Sequence, residues 1–390
     1  MNLKRLPFLV SILFFTFSFG QSTLLEQAKI SILTIEQGKN ISDAFGHSGI
    51  RIKNGKEDVV YDYGRYPFND PNFILNFCKG KLDYSIGKES YRDFMYRYKY
   101  FNRSVKEQVL DLTFEEKQTY YNYILNNYKP QNRVYSYDFF FDNCATKIHE
   151  VTNTVLNNSI DFKTPKSYSP KTFRTLIQDE LNKNSWESFG IDLALGSKID
   201  QLATEKDHMF LPKNVYTFFK VATINNKTLV KSNKTIFKAK PINNNSFITL
   251  LWSPLVICIL LALFIIYKTY KDFKQSTRSR FLDVIIFTIT GLIGVLLLLL
   301  WFATDHNMTA HNYNILWAFP LNLLFIKAVI NKTPSILVSK YFMFLILMLV
   351  LMCTHWISEV QRFASTILPL IIALLIRYIY VFWFVKSQNK

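Results

Sequence analysis

Apolar positions fall unevenly along the 390-residue chain. A run from Leu6 to Phe19 opens it, and from residue 21 to residue 246 apolar residues come in short, interrupted groups. Five longer apolar segments follow, near residues 247–267, 281–303, 313–330, 339–352 and 367–385. Most are close to the roughly 20 residues a helix needs to cross a bilayer. The pattern predicts a leader over residues 1–20, an α+β domain over 21–246, and an all-α domain of five transmembrane helices over 247–390.

Within the middle part, Asn54-Gly55 is a strong hairpin signal, because a type I′ turn needs positive φ at both central positions. With those two residues as the turn, Lys53 faces Lys56, Arg51 faces Asp58, Ile50 faces Val59 and His47 faces Asp62. Arg51 with Asp58 is a favourable cross-strand pair, and Ile50, Ile52 and Val59 share the other face. Thr113 and Glu116 form a capping box that opens a helix to about Asn127, ended by Pro130. Residues 134–141 read as a strand or extended lead-in. Asp142 and Asn143 are both N-cap types, and 145–156 holds no Gly or Pro to break a helix. A helix is expected over 172–183, an ordered loop over 193–215, alternating strand pattern over 221–240 and a polar linker over 241–246.

Lys4 and Arg5 before the first apolar run, with Ser18 and Gly20 after it, read as a secretory signal peptide cleaved before Gln21. An uncleaved anchor would export the next domain equally well. The loop after the first span carries Lys268, Lys271, Lys274, Arg278 and Arg280, which marks it as cytoplasmic. The following loops alternate sides, with Lys332 and Lys340 inside and Lys386 placing the C-terminus inside. The two signals agree on an exported first domain. The formal net charge of +17 then suits anionic lipid headgroups rather than nucleic acid, which an exported protein rarely meets.

Chemistry concentrates in Asp138 to Glu150, D-F-F-F-D-N-C-A-T-K-I-H-E. Cys144 falls in the first turn of the expected helix, where the helix dipole favours thiolate. The alternatives are a buried apolar Cys or half of a disulfide with Cys78, and two unpaired thiols are favoured. The hairpin places Asp62 beside His47, the arrangement in which a carboxylate orients a catalytic imidazole; a structural pair on a solvated sheet face is the competing reading. His149 lies five residues from Cys144 on one helix and faces away from it. Spacing of His and Cys gives no metal site, and no cofactor is expected. The two outward loops hold Asp305, His306, His311, Asn312 and Asn314, then His355, Trp356 and Glu359. They read as contacts to a headgroup, as a cover over the active site, or as plain polar loop residues.

Gly46-His47-Ser48-Gly49, Tyr61-Asp62-Tyr63-Gly64 and Asp142-Asn143-Cys144-Ala145-Thr146, with M-F-L-P at 209–212 and H-N-Y-N-I-L-W at 311–317, carry a resemblance. The chain resembles the Bacteroides-type lipoprotein N-acyltransferases (Lnb) over nearly its whole length. The resemblance implies a permuted papain-like, NlpC/P60-like domain in the periplasm of the bacterial inner membrane. It also implies transfer of a fatty acyl chain from a phospholipid to the α-amine of a diacylglyceryl-Cys lipoprotein, with Cys144 and His47 matching the family's Cys and His. Asp62 as third catalytic residue comes from the register instead. Asn143, Asp305, His306, His311 and Asn312 are expected to contact substrate. A cysteine lipid hydrolase, or a cell-wall peptidase or amidase, would use the same pair with another acceptor, and a non-catalytic membrane receptor would use neither.

Overall fold

A computed structural model describes residues 24–66, 71–81, 83–241 and 247–389. The expected leader and nearly all of the expected linker lie outside the described residues.

The first part is built on a seven-stranded antiparallel sheet. Its strands are β1 (Lys29–Ile35), β2 (His47–Asn54), β3 (Glu57–Arg65), β4 (Asp83–Ser90), β5 (Val105–Leu110) and β6 (Val134–Ser136), with a late strand, Val230–Phe237, as the edge beyond β5. From that edge the order is β5, β1, β2, β3, β4, β6. Strand β1 is buried at every position after Lys29, which suits a central strand covered on both faces. Ile30, Ile32, Ile50, Ile52 and Tyr61 pack on one face, against α3 (Phe114–Asn127) and α4 (Cys144–Val155). Leu33, Ile35 and Val60 pack on the other, against Phe94, Met95 and Tyr98 of α2 (Tyr91–Tyr100). The short α1 (Phe73–Lys79) lies between β3 and β4. The Thr113–Glu116 capping box forms as expected.

The hairpin register differs from the expected one. Asn54 pairs with Glu57 and Arg51 with Val60, so the turn is Gly55-Lys56 and Gly55 alone takes positive φ, at 60°. Glycine at the first central position is what a type II′ turn prefers. The slip is two residues, an even number, so every side chain stays on its expected face. Arg51 still reaches Asp58 with two bonds of 2.8 and 2.6 Å, now on a diagonal.

After β6 come α5 (Phe173–Gln178), α6 (Trp186–Ala194), α7 (Glu205–His208) and α8 (Pro212–Val221). Helix α8 is a correction to the expected loop and strand. Pro212 occupies the first helical turn, where its missing N–H costs nothing.

Among the described residues, four helices are long and apolar enough to cross a membrane: 254–274, 280–302, 336–357 and 365–388. The third expected helix is not one of them. Its segment forms a 3-10 turn at Tyr313–Leu316 and an eight-residue helix at Asn322–Val329. Pro320 sits in the break and removes a backbone donor. The interrupted segment still links the two ends of the bundle. At its start Tyr313 N donates to Gln361 Oε1 at 2.8 Å, and at its finish Arg280 Nη1 donates to Ile330 O.

Among the described residues, the bundle docks against the sheet-rich part at one end. Gly196 N donates to Met308 O at 2.9 Å and Ser197 N to His311 O at 3.0 Å. Asp305 N donates to Lys79 O at 2.8 Å, and Trp186 Nε1 to Trp252 O at 2.8 Å. Gly196 permits this approach, since a Cβ there would lie 1.9 Å from Ala310 O. The basic loops gather at the other end, where Asn389 Nδ2 meets Pro334 O at 3.0 Å.

Candidate active site

The approach to Cys144 is a tight turn made from its own side chains. Asp138 Oδ1 accepts from the N–H groups of Phe140 (2.8 Å) and Phe141 (2.9 Å). The Phe rings pack into an aromatic block, with Phe140 5.5 Å from Phe173 and 5.4 Å from Phe210. Asn143 is the N-cap of α4, and its Oδ1 accepts from Ala145 N at 2.7 Å and Thr146 N at 3.0 Å. Its Nδ2 donates to Phe139 O at 2.6 Å and Phe210 O at 2.9 Å. With four bonds and 4% exposure, Asn143 has no hydrogen-bonding capacity left for a substrate. That corrects its expected role: it anchors the helix start. Cys144 follows in the first turn, half-buried and unpaired. Its N–H has no hydrogen-bond partner among the described residues. It is one of the donors a helix start leaves free.

His47 starts β2, and its Nε2 lies 3.1 Å from Asp62 Oδ2. That leaves Nδ1 as the nitrogen able to exchange a proton with Cys144. Burial disfavours the charged ring. The negative charge that Tyr98 and Cys144 can carry, and hydrogen bonds to Asp62 and Cys144, outweigh it, so His47 titrates well above the ordinary histidine range.

Asp62 is 2% exposed and is held from its other side. Arg65 Nε donates to Asp62 Oδ1 at 2.5 Å, and Arg65 Nη2 to Glu89 Oε1 at 2.8 Å. Arg97 also bonds Glu89 and stands 4.0 Å from Asp62. Residues three apart on a strand normally face opposite ways. Here the β3–β4 register shifts between Asp62 and Arg65, with Gly64 at φ 89°, and this bulge turns Arg65 back onto Asp62. Gly64 also abuts the nucleophile candidate, since a Cβ there would sit 3.8 Å from that of Cys144. Burial opposes the Asp62 carboxylate, but the His47 hydrogen bond and charge, with Arg65, hold it below the ordinary aspartate range.

Sequence reasoning missed Arg65, Glu89, Arg97 and Tyr137. Tyr137 stacks on Tyr84 at 4.3 Å and comes within 4.0 Å of the Gly64 position, walling the site. Burial and the neighbouring Cys144 charge push its phenol well above the ordinary tyrosine range. The alternation Tyr135-Ser136-Tyr137 just before the Cys turn was the available signal. His149 is buried on Phe162 at 4.6 Å and lowered to about 4, mainly by burial.

The outward-loop residues lie apart from these three. No hydrogen bond, ion pair or ring contact joins Asp305, His306, His311 or Asn312 to Cys144, His47 or Asp62 among the described residues. His306 Nε2 lies 2.9 Å from Phe77 O, and the His311 ring is 5.2 Å from Trp301. Asn312 is fully buried. Its Nδ2 donates to Leu193 O at 2.8 Å and Ala194 O at 3.0 Å, which makes it a stitch between bundle and sheet domain rather than a substrate contact. Among the described residues no group of three His, Cys, Asp or Glu converges as a metal site would require.

Residues 18–179 match the family described as Lnb N-terminal periplasmic domain, and residues 243–389 match the Lnb transmembrane domain. No curated protein and no solved structure matches.

Proposed function

Because the chain belongs to the Lnb family, a multi-pass membrane protein with a periplasmic domain, we propose that it is a lipoprotein N-acyltransferase with Cys144 as nucleophile. The observation that carries this reading is Cys144 at the start of α4, beside a His47 ring that Asp62 holds at 3.1 Å. The Cys-helix packed on an antiparallel sheet, with His on the preceding strand pair, supports a permuted papain-like arrangement. The basic loops at the far end of the bundle support a cytoplasmic C-terminus.

In the first half-reaction the Cys144 thiolate attacks the ester carbonyl of a phospholipid. The free Cys144 N–H faces the developing oxyanion. As the C–O bond breaks, His47 gives its Nδ1 proton to the leaving lysophospholipid alkoxide, and a thioester remains. The α-amine of a diacylglyceryl-Cys lipoprotein then attacks that thioester. Neutral His47 takes the amine's proton, the C–S bond breaks, and the amide and the thiolate–imidazolium pair result. Both substrates are membrane-anchored, which accounts for a catalytic domain docked on a bundle instead of tethered by one span.

The test is purified protein with phospholipid and a diacylglyceryl lipopeptide, followed by mass spectrometry. The N-acyl lipopeptide should form with wild type and not with Cys144→Ala. Free fatty acid at the same rate with and without lipopeptide would make the protein a hydrolase. Cleavage of cell-wall peptide in place of either would make it a peptidase.

A further inference from the structure

Helix α1 (Phe73–Lys79) stands out from the sheet domain. Leu75 and Phe77 are 52% and 49% exposed, and Cys78 beside them is exposed as well. Two large apolar side chains shown to solvent by one short helix mark a contact surface.

Two observations identify what covers it. The first is where α1 is tied. His306 Nε2 donates to Phe77 O at 2.9 Å, and Asp305 N donates to Lys79 O at 2.8 Å. Gly80 permits this approach, since a Cβ there would lie 2.9 Å from His306 N. Asp305 comes three residues after Phe302, the 73% exposed last residue of the membrane-length helix 280–302. The exposed face of α1 is therefore continuous with a lipid-facing helix end. The second observation is depth. Trp252, Trp301 and Trp356 lie within two residues of the docked ends of helices 254–274, 280–302 and 336–357. Tryptophan concentrates at the headgroup level of a bilayer, so these three mark its outer boundary, and α1 is bonded to the loop that leaves that boundary. Seven residues would hold a membrane weakly by themselves. Here the bundle already keeps them at its surface.

The same helix is joined to the walls of the Cys144 site. The chain enters α1 from the end of β3, just past Gly64, where a Cβ would sit 3.8 Å from that of Cys144. It returns into β4 at Tyr84, which stacks on Tyr137 at 4.3 Å. We propose that α1 seats Leu75 and Phe77 among the acyl chains of the outer leaflet, and so forms the lipid-contacting edge of the Cys144 site. The depth of α1 needs no chemistry at Cys144; its service to the site rests on the proposed function.

The experiment uses the full-length protein in nanodiscs of phosphatidylethanolamine and phosphatidylglycerol. With Cys144→Ala, Cys258→Ser and Cys353→Ser, Cys78 is the one thiol left in the chain, and it is labelled with an environment-sensitive fluorophore. Lipid carrying a spin label near its ester carbonyls should quench this dye, and aqueous iodide should not. The same dye on Lys56→Cys in a Cys78→Ser background, at the opposite end of β3, should show the reverse. Quenching at Cys78 by iodide and not by lipid overturns the proposal. Shielding from both quenchers overturns the lipid assignment and makes this face a protein contact. In the enzyme with its other cysteines intact, Leu75→Ser with Phe77→Ser should slow acyl transfer from bilayer phospholipid several-fold. Alkylation mapped to Cys144 by a water-soluble iodoacetamide should keep its wild-type rate, which also reports that the variant is folded. An unchanged transfer rate from the bilayer overturns the role at the site. The quenching measurement involves no turnover, so failure of α1 to meet lipid and failure of the N-acyltransferase reading are read separately.

Discussion

Two buried carboxylate–guanidinium clusters in this molecule use the same groups for different ends. At the far end of the bundle, Arg377 is fully buried and bonds Asp283 at 2.6 Å and Asp272 at 2.7 Å. It also donates to Ser279 O at 3.2 Å, and Arg278 Nε stands 3.6 Å from Asp283 Oδ2, so the cluster is surrounded by protein groups. In the periplasmic domain Asp62 is equally buried, and Arg65 clamps one of its oxygens. Its other oxygen goes to His47, whose side chain keeps 20% exposure. The closed cluster joins three helices and offers nothing titratable to a substrate. The open one ends on a histidine beside a cysteine. A carboxylate held by arginine is thus a brace when every partner is fixed, and an orienting group when one partner can exchange a proton.

Removing the ends of the open cluster should give the largest effects, and on rate rather than stability. Cys144→Ala should lower acyl transfer by about 10³-fold or more while the melting temperature stays near wild type. Asp62→Asn should lower kcat by about 10²–10⁴-fold and change the pH profile. The sign follows from His47. Its pKa is raised in the folded protein, so the stability it contributes is present below the ordinary histidine range and lost as pH rises through the raised value. The alkaline limb of kcat reports the same loss of the imidazolium. Without the Asp62 charge that limb should move to lower pH, as a pH–rate series would read.

The closed cluster should behave in the opposite way. Arg377→Leu leaves buried Asp283 with only Arg278 at 3.6 Å and Asp272 with only Ser279, and should cost about 3–5 kcal/mol, measured by unfolding in detergent, with no displacement of the pH–rate profile. The smallest effect belongs to the helix start. Asn143→Ala should cost about 1–2 kcal/mol of periplasmic-domain stability, and should raise the KM for phospholipid little, since no Asn143 polar atom is free for it.

The same comparison separates what could be read in the sequence from what could not. His47 and Asp62 were legible as neighbours although the expected turn was wrong, because an even slip in register preserves which face each residue occupies. Cys144 was legible from Asn143 and the unbroken helix after it. Arg65 was not, since a bulge at Gly64 overrides the strand period that reading relies on. The roles of Asn143 and Asn312 were misread for a common reason. A polar residue near a site looks available until the carbonyls it bonds are known, and those lie 67 residues away at Phe210 and 119 away at Leu193. Hydropathy marked the segment at 313–330 as apolar, and it is. Pro320 and the buried Asn314 and Asn322 make it an interrupted path instead of one helix.

The most direct measurement of the central claim is the intact mass of the wild-type protein quenched after mixing with phospholipid alone. The account predicts an adduct of one acyl chain that maps to Cys144, is released by hydroxylamine, and disappears on addition of lipopeptide amine. It should be absent in Cys144→Ala and persist longer in Cys144→Ser as an ester. An acyl adduct of the same mass on Cys144→Ala, or lipopeptide N-acylation by that variant at the wild-type rate, would contradict it.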